Sequence, residues 1–69
     1  MIRELIEIEA SEGGWLVRAN GQSLVRPTKL QAIEEAHALA SRRYVETRRP
    51  TGVRVPMPGG EAVIIGACG

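Results

Sequence analysis

Between Trp15 and Tyr44 the chain carries two short apolar runs, an Asn20-Gly21 pair between them, and a Pro27-Thr28 step into a long helical pattern. Asn-Gly is the strongest local hairpin signal, because a type I′ turn needs positive φ at both central residues. A two-residue loop also sets register. With strands at about 15–19 and 22–26, Val17 should face Leu24 and Leu16 should face Val25. Thr28 with Gln31 three residues on matches a capping box, in which each side chain satisfies an orphan backbone donor of the first turn. A helix is therefore expected from Lys29 to about Glu46, stopped by Pro50 and Gly52.

At 100° per residue, Leu30, Ile33, Ala36, His37, Ala40 and Tyr44 share a stripe expected to lie on the sheet. Glu34, Glu35, Ala38, Arg42 and Glu46 should point away, and small residues at 36 and 40 permit close approach. Arg42, Arg43 and Arg48 are placed to complement the C-terminal end of the macrodipole. Upstream, Ile2, Ile6, Ile8 and Ala10 share one parity against Glu7 and Glu9, the pattern of a half-buried strand with an acidic outer face. A glycine-containing turn at residues 11–14 makes the next strand its hairpin partner. Downstream, Val53, Val55 and Met57 alternate, Pro58-Gly59-Gly60 turns, and residues 62–66 return as an apolar run. Pro56 cannot donate to a ladder, so its strand should be an edge or be bulged there. The pattern predicts one α+β domain over residues 1–69, ordered β-β-β-α-β-β, with an antiparallel sheet of about five strands and one helix packed on a face.

A chain of 69 residues buries only about 60% of the surface its unfolded form exposes. Domains this small often recruit a disulfide, a metal or another subunit. One cysteine, Cys68, forms no internal bridge, and one Cys with one His falls short of a four-ligand zinc site. No cofactor is expected, which leaves self-association, as in a homodimer, or docking on a protein partner. No segment approaches the roughly 18 apolar residues of a membrane span, and the N-terminus lacks a signal-peptide pattern. A reduced, cytoplasmic setting without membrane contact is the expectation.

His37 is the sole general-base candidate. Glu34 and Ser41 lie one helical turn to either side, but a Ser-His-Glu set on one helical surface has no evident pocket or oxyanion hole. A histidine at the edge of the buried stripe is the better reading. Cys68, in a tail expected to fray, has no neighbouring base to lower its pKa and reads as inert. Gly13-Gly14 and Gly59-Gly60 join strands to strands, so neither pair offers a helix N-terminus to a phosphate. No catalytic residue and no small-molecule substrate is indicated.

Charge is unevenly placed within a net +1: residues 1–12 hold Glu4, Glu7, Glu9 and Glu12 against Arg3, and residues 42–54 hold Arg42, Arg43, Arg48, Arg49 and Arg54 against Glu46. Arginine pairs bidentately with phosphate and carboxylate, so these five are the candidates for binding nucleic acid or an acidic partner. Trp15 and Tyr44 are the only aromatics, few for a single-strand reader that stacks bases. The same arginines are equally suited to pairing with the acidic first strand or to forming a solvated face. Trp15 reads as core near Leu30 and Ile33, with a partner-facing anchor as the alternative. Val63 and Ile65, in the apolar final run, join it as candidate protein-interaction residues.

The run Gly-Trp-Leu-Val-Arg-Ala-Asn-Gly-Gln-Ser at 14–23, with Thr28-Lys29-Leu30-Gln31-Ala32-Ile33 and residues 36–40, resembles DUF2188, a family of short bacterial proteins with a tryptophan-bearing strand and a T-x-x-E-A-I-x-x-A helix. Gln31 stands where that family commonly has Glu, and the likeness covers roughly residues 14–45. The resemblance implies a hairpin and a helix and carries no activity. A weaker similarity is to HicB-type antitoxin domains, whose T-x-x-E-A helix also follows antiparallel strands; their usual strand signature is not seen in these residues, and no appended DNA-binding segment is expected. The order of three strands and a helix is shared with integrase-type arm-binding domains by fold analogy alone. The expected role is a non-catalytic binding module, protein-binding or self-associating. The alternative is nucleic-acid binding through the arginines, including a phage-type inhibitor of a host nucleoprotein.

Overall fold

Six elements follow from these signals in a computed structural model that describes residues 4–19, 21–57 and 59–68. They are β1 (Glu4–Ser11), β2 (Gly14–Ala19), β3 (Gln22–Arg26), α1 (Lys29–Thr47), β4 (Thr51–Pro56) and β5 (Ala62–Cys68). The strands form one sheet in the order β3-β2-β1-β4-β5, with α1 across one face. The expected α+β architecture and element order are those observed.

Short turns decide the local pairing. β1 and β2 meet at Ser11 opposite Gly14 and run antiparallel with Ile8 opposite Val17. β2 and β3 place Val17 opposite Leu24 and Leu16 opposite Val25, the register that a two-residue loop requires. Gly21 has φ +83, as the expected turn demands; Asn20 lies outside the described residues. Gly14 is needed for another reason. A Cβ there would strike the main-chain carbonyl oxygen of Arg26, so the close approach of β2 to the end of β3 admits only glycine.

The sheet is mixed, which corrects the expectation of a wholly antiparallel one. β4 runs parallel to β1, with Ile6 opposite Val53 and Glu4 opposite Thr51. The long helix returns the chain across the sheet, so β4 enters in the same direction as β1, whereas tight hairpins join only antiparallel neighbours. The expectation that Pro56 marks an edge strand or a bulge is corrected as well, because β4 lies between β1 and β5 and its register shift falls at Gly52/Val53 instead. The missing donor is tolerated because the paired register with β1 ends at Arg54. β5 is antiparallel to β4 and extends to Cys68, opposite Thr51, so the tail is strand as far as Cys68; Gly69 lies outside the described residues. Its register shifts at Gly52/Val53, and Gly66 has φ +61 there. The hairpin before it is closed by Met57 N–H to the Glu61 carbonyl at 2.7 Å; Pro58 of the expected turn lies outside the described residues.

Helix α1 starts as its capping residue dictates: Thr28 Oγ1 accepts the N–H of Gln31 at 3.1 Å. It ends at Arg48, whose φ of +61 is left-handed and whose N–H reaches the Tyr44 carbonyl at 2.7 Å. No base occupies the last turn; Arg48 follows it. The buried helical residues are Ala32, Ala36 and Ala40, packed on Ile6, Ile8, Val17, Val53 and Val55. This corrects the expected stripe. Ala36 and Ala40 belong to it, but Leu30 is 67% exposed and His37 is exposed. Alanines let the backbone settle closest to the strands, so the helix turns its smallest side chains downward and places larger apolar ones on its flanks, Ile33 on one and Leu39 on the other. Buried Thr51 donates its hydroxyl to the Ala40 carbonyl at 2.8 Å and ties the helix to β4.

Candidate functional site

Strand alternation sorts the candidate residues onto two sheet faces. Glu4, Ile6 and Ile8 of β1 and Val53 and Val55 of β4 point toward α1. Glu7, Glu9, Arg18 and Arg54 therefore lie on the other face, away from the helix. There Glu7 pairs with Arg54 at 3.4 Å and with Arg18 at 3.8 Å, and Glu9 pairs with Arg18 at 3.4 Å. On the helix side, Arg43 reaches Glu4 with Nε at 3.1 Å and a terminal nitrogen at 3.4 Å.

The five arginines of residues 42–54 thus divide. Arg43 and Arg54 are held by carboxylates of the acidic first strand, on opposite sides of the sheet. Arg42, Arg48 and Arg49 are exposed and have no ion pair among the described residues. The Arg49 backbone N–H is bound by Thr47 Oγ1 at 3.1 Å, which fixes the turn that carries Arg48 and Arg49. Arg48 and Arg49 follow the end of α1, where the helix presents its negative dipole end, whereas Arg42 lies more than a turn before it.

The two strand edges are built differently. β3 ends at Arg26, whose guanidinium donates to the Val25 carbonyl at 3.0 Å and pairs with Glu35 of α1. Pro27 follows directly. Glu35, expected to point away from the sheet, is instead half-buried against this strand. β5 has no charged residue and no proline from Ala62 to Cys68. Val63 is 42% and Ile64 53% exposed. Of the residues singled out from sequence, Val63 is at the surface, whereas Ile65 packs against the core. Ile64 was missed. The signal was available: an edge strand exposes apolar residues of both parities, which a search along one parity overlooks.

Trp15 is half-buried and, like Ile33, packs against the core, while Leu30 is largely exposed. Lys29 Nζ sits 5.3 Å from the ring centroid and also reaches toward the Pro56 carbonyl at 3.5 Å, so the indole is covered by the helix start. His37 lies over Gly66 of β5: a Cβ at Gly66 would fall within its ring. It makes no hydrogen bond to Glu34 or Ser41 among the described residues. No group of three or more His, Cys, Asp or Glu is placed to hold a metal ion among them. None of the described helices is long and apolar enough to cross a membrane.

Comparison with protein-family models, with curated proteins and with solved structures finds no match to this chain.

Proposed function

We propose that this chain is a non-catalytic interaction module that works through a strand edge, binding another protein segment or a second copy of itself. The observation that carries this reading is β5, a seven-residue uncharged strand at the end of the sheet with Val63 and Ile64 exposed. An edge strand offers unpaired N–H and C=O groups to a further strand, and alternate side chains supply selectivity. A DUF2188-like origin of the hairpin and helix belongs to the same proposal, and it brings no chemistry with it.

Nucleic-acid binding is the second reading, supported by Arg42, Arg48 and Arg49, which are exposed and make no ion pair among the described residues. Its scale is reduced by the two arginines that β1 already holds. Phosphate contacts release counterions, so such binding falls steeply with salt.

An amide-resolved NMR titration separates the two. Under the first reading, raising the protein concentration or adding a purified partner shifts β5 amides, and short DNA or RNA at low salt shifts nothing. Salt-sensitive shifts around residues 42–49 that vanish in an Arg48→Ala/Arg49→Ala double variant, with β5 unmoved, would overturn it in favour of the second.

A further inference from the structure

The geometry points to a second copy of this chain as the occupant of the β5 edge, through a two-fold antiparallel β5–β5 pairing that makes one continuous sheet. This rests on the strand-edge reading above and names its partner.

The backbone supplies the first reason. Met57 N–H bonds to the Glu61 carbonyl, and alternate pairs of an antiparallel ladder share that character. Val55–Val63 and Val53–Ile65 are then the bonded pairs, and Ile64, opposite Arg54, directs its N–H and C=O away from β4. Ala62 does the same. The free donors and acceptors thus centre on Ile64, and a two-fold axis there sets Ile64 beside its own mate and Val63 beside Ile65 of the partner subunit.

The helix supplies the second. Leu30, Ile33, His37 and Tyr44 were expected to face the sheet, and they form the flank of α1 that adjoins β5, as the His37–Gly66 packing shows. Lys29 reaches Pro56, so the Leu30 end of this flank stands beside the start of β5. Leu30 at 67% exposure and Val63 at 42% make one apolar strip with half-buried Ile33 and Ile65. A two-fold axis normal to the sheet keeps both helices on the same side, so the two strips meet over the joined strands.

Charge selects the partner. Around a two-fold axis each group meets a copy of its own neighbourhood, so a charged edge repels itself. β5 and Leu30, Ile33, Val63, Ile64 and Ile65 contribute no charge, and Arg54, opposite Ile64 on the neighbouring strand, is already paired with Glu7 at 3.4 Å. A domain of this size also has the most to gain from further burial.

Sedimentation velocity over a concentration series tests this with the full chain, Ile64→Lys and Val25→Lys. Val25 is also 53% exposed and lies on β3, which makes it the matched control. The wild type and Val25→Lys should dimerise alike, and Ile64→Lys should stay monomeric at every concentration with an unchanged circular dichroism spectrum. Should Ile64→Lys fail to fold, Leu30→Glu takes its place and should weaken dimerisation roughly tenfold or more. A wild type that is monomeric throughout, or a dimer lost in Val25→Lys and kept in the β5 and Leu30 variants, overturns the proposal. If that monomer still shifts its β5 amides on binding another protein, the module reading stands and only the second copy is removed.

Discussion

At one end of the sheet, β3 is five residues long, closes on Arg26 and Pro27, and has one of its carbonyls occupied by its own arginine. At the other end, β5 runs seven residues without a charge and exposes Val63 and Ile64. Natural sheets guard edges against unwanted pairing with short strands, charges and prolines. β3 is short, ends in a charge and runs into Pro27, whereas β5 is longer and uncharged from Ala62 to Cys68, its irregularity confined to Gly66. The difference teaches where a partner is admitted: a sequence that guards one edge and leaves the other open distinguishes them chemically.

The comparison can be broken most severely at Gly14. Its Cβ-free contact with the Arg26 carbonyl oxygen holds the guarded edge together, and the obstacle is main chain that has no rotamer to escape into. Gly14→Ala should lower stability by about 2–3 kcal/mol in urea denaturation, and the β2–β3 amides should lose protection first. Arg26→Ala acts on the guard itself. Its ion pair with Glu35 is about one-third exposed, so the loss in stability should be only about 0.5–1 kcal/mol. The larger readout is association: with the Val25 carbonyl uncovered, species beyond the dimer should appear at high concentration in light scattering. Arg48→Gly is the smallest change and has the opposite sign. Arg48 holds a left-handed φ of +61 at the helix end, a conformation that suits glycine. Thermal unfolding should show a gain of about 0.5 kcal/mol, with dimerisation unchanged because the residue lies beyond the Cys68 end of β5, away from Ile64.

How much of this was legible in the sequence depended on range. The β2–β3 register and the start of α1 follow from contacts within a few residues, Asn20-Gly21 and Thr28-Gln31, and both were read correctly in position. The facing of the helix was not. Hydropathy weights Leu30 and Tyr44 above Ala32, and it set the stripe about 60° from the buried line through Ala32, Ala36 and Ala40. Steric fit to the sheet, which no periodicity encodes, favoured the small residues. The parallel β1–β4 pair was invisible for a related reason: residues 4–7 and 51–54 are joined only through the path of the helix. For the site, the asymmetry of charge pointed to pairing between residues 42–54 and the acidic first strand as one of its readings, and Arg43–Glu4 and Arg54–Glu7 are such pairs. That Arg43 and Arg54 lie on opposite sides of the sheet needed the strand register.

The most direct test of the contrast between the edges is amide hydrogen exchange followed by NMR at several protein concentrations. Exchange at Ala62 and Ile64, whose N–H groups point away from β4, should slow as concentration rises, while β3 amides keep their rates. Concentration-independent exchange at β5, or equal slowing at β3, would contradict the claim that only one edge is open to a second copy.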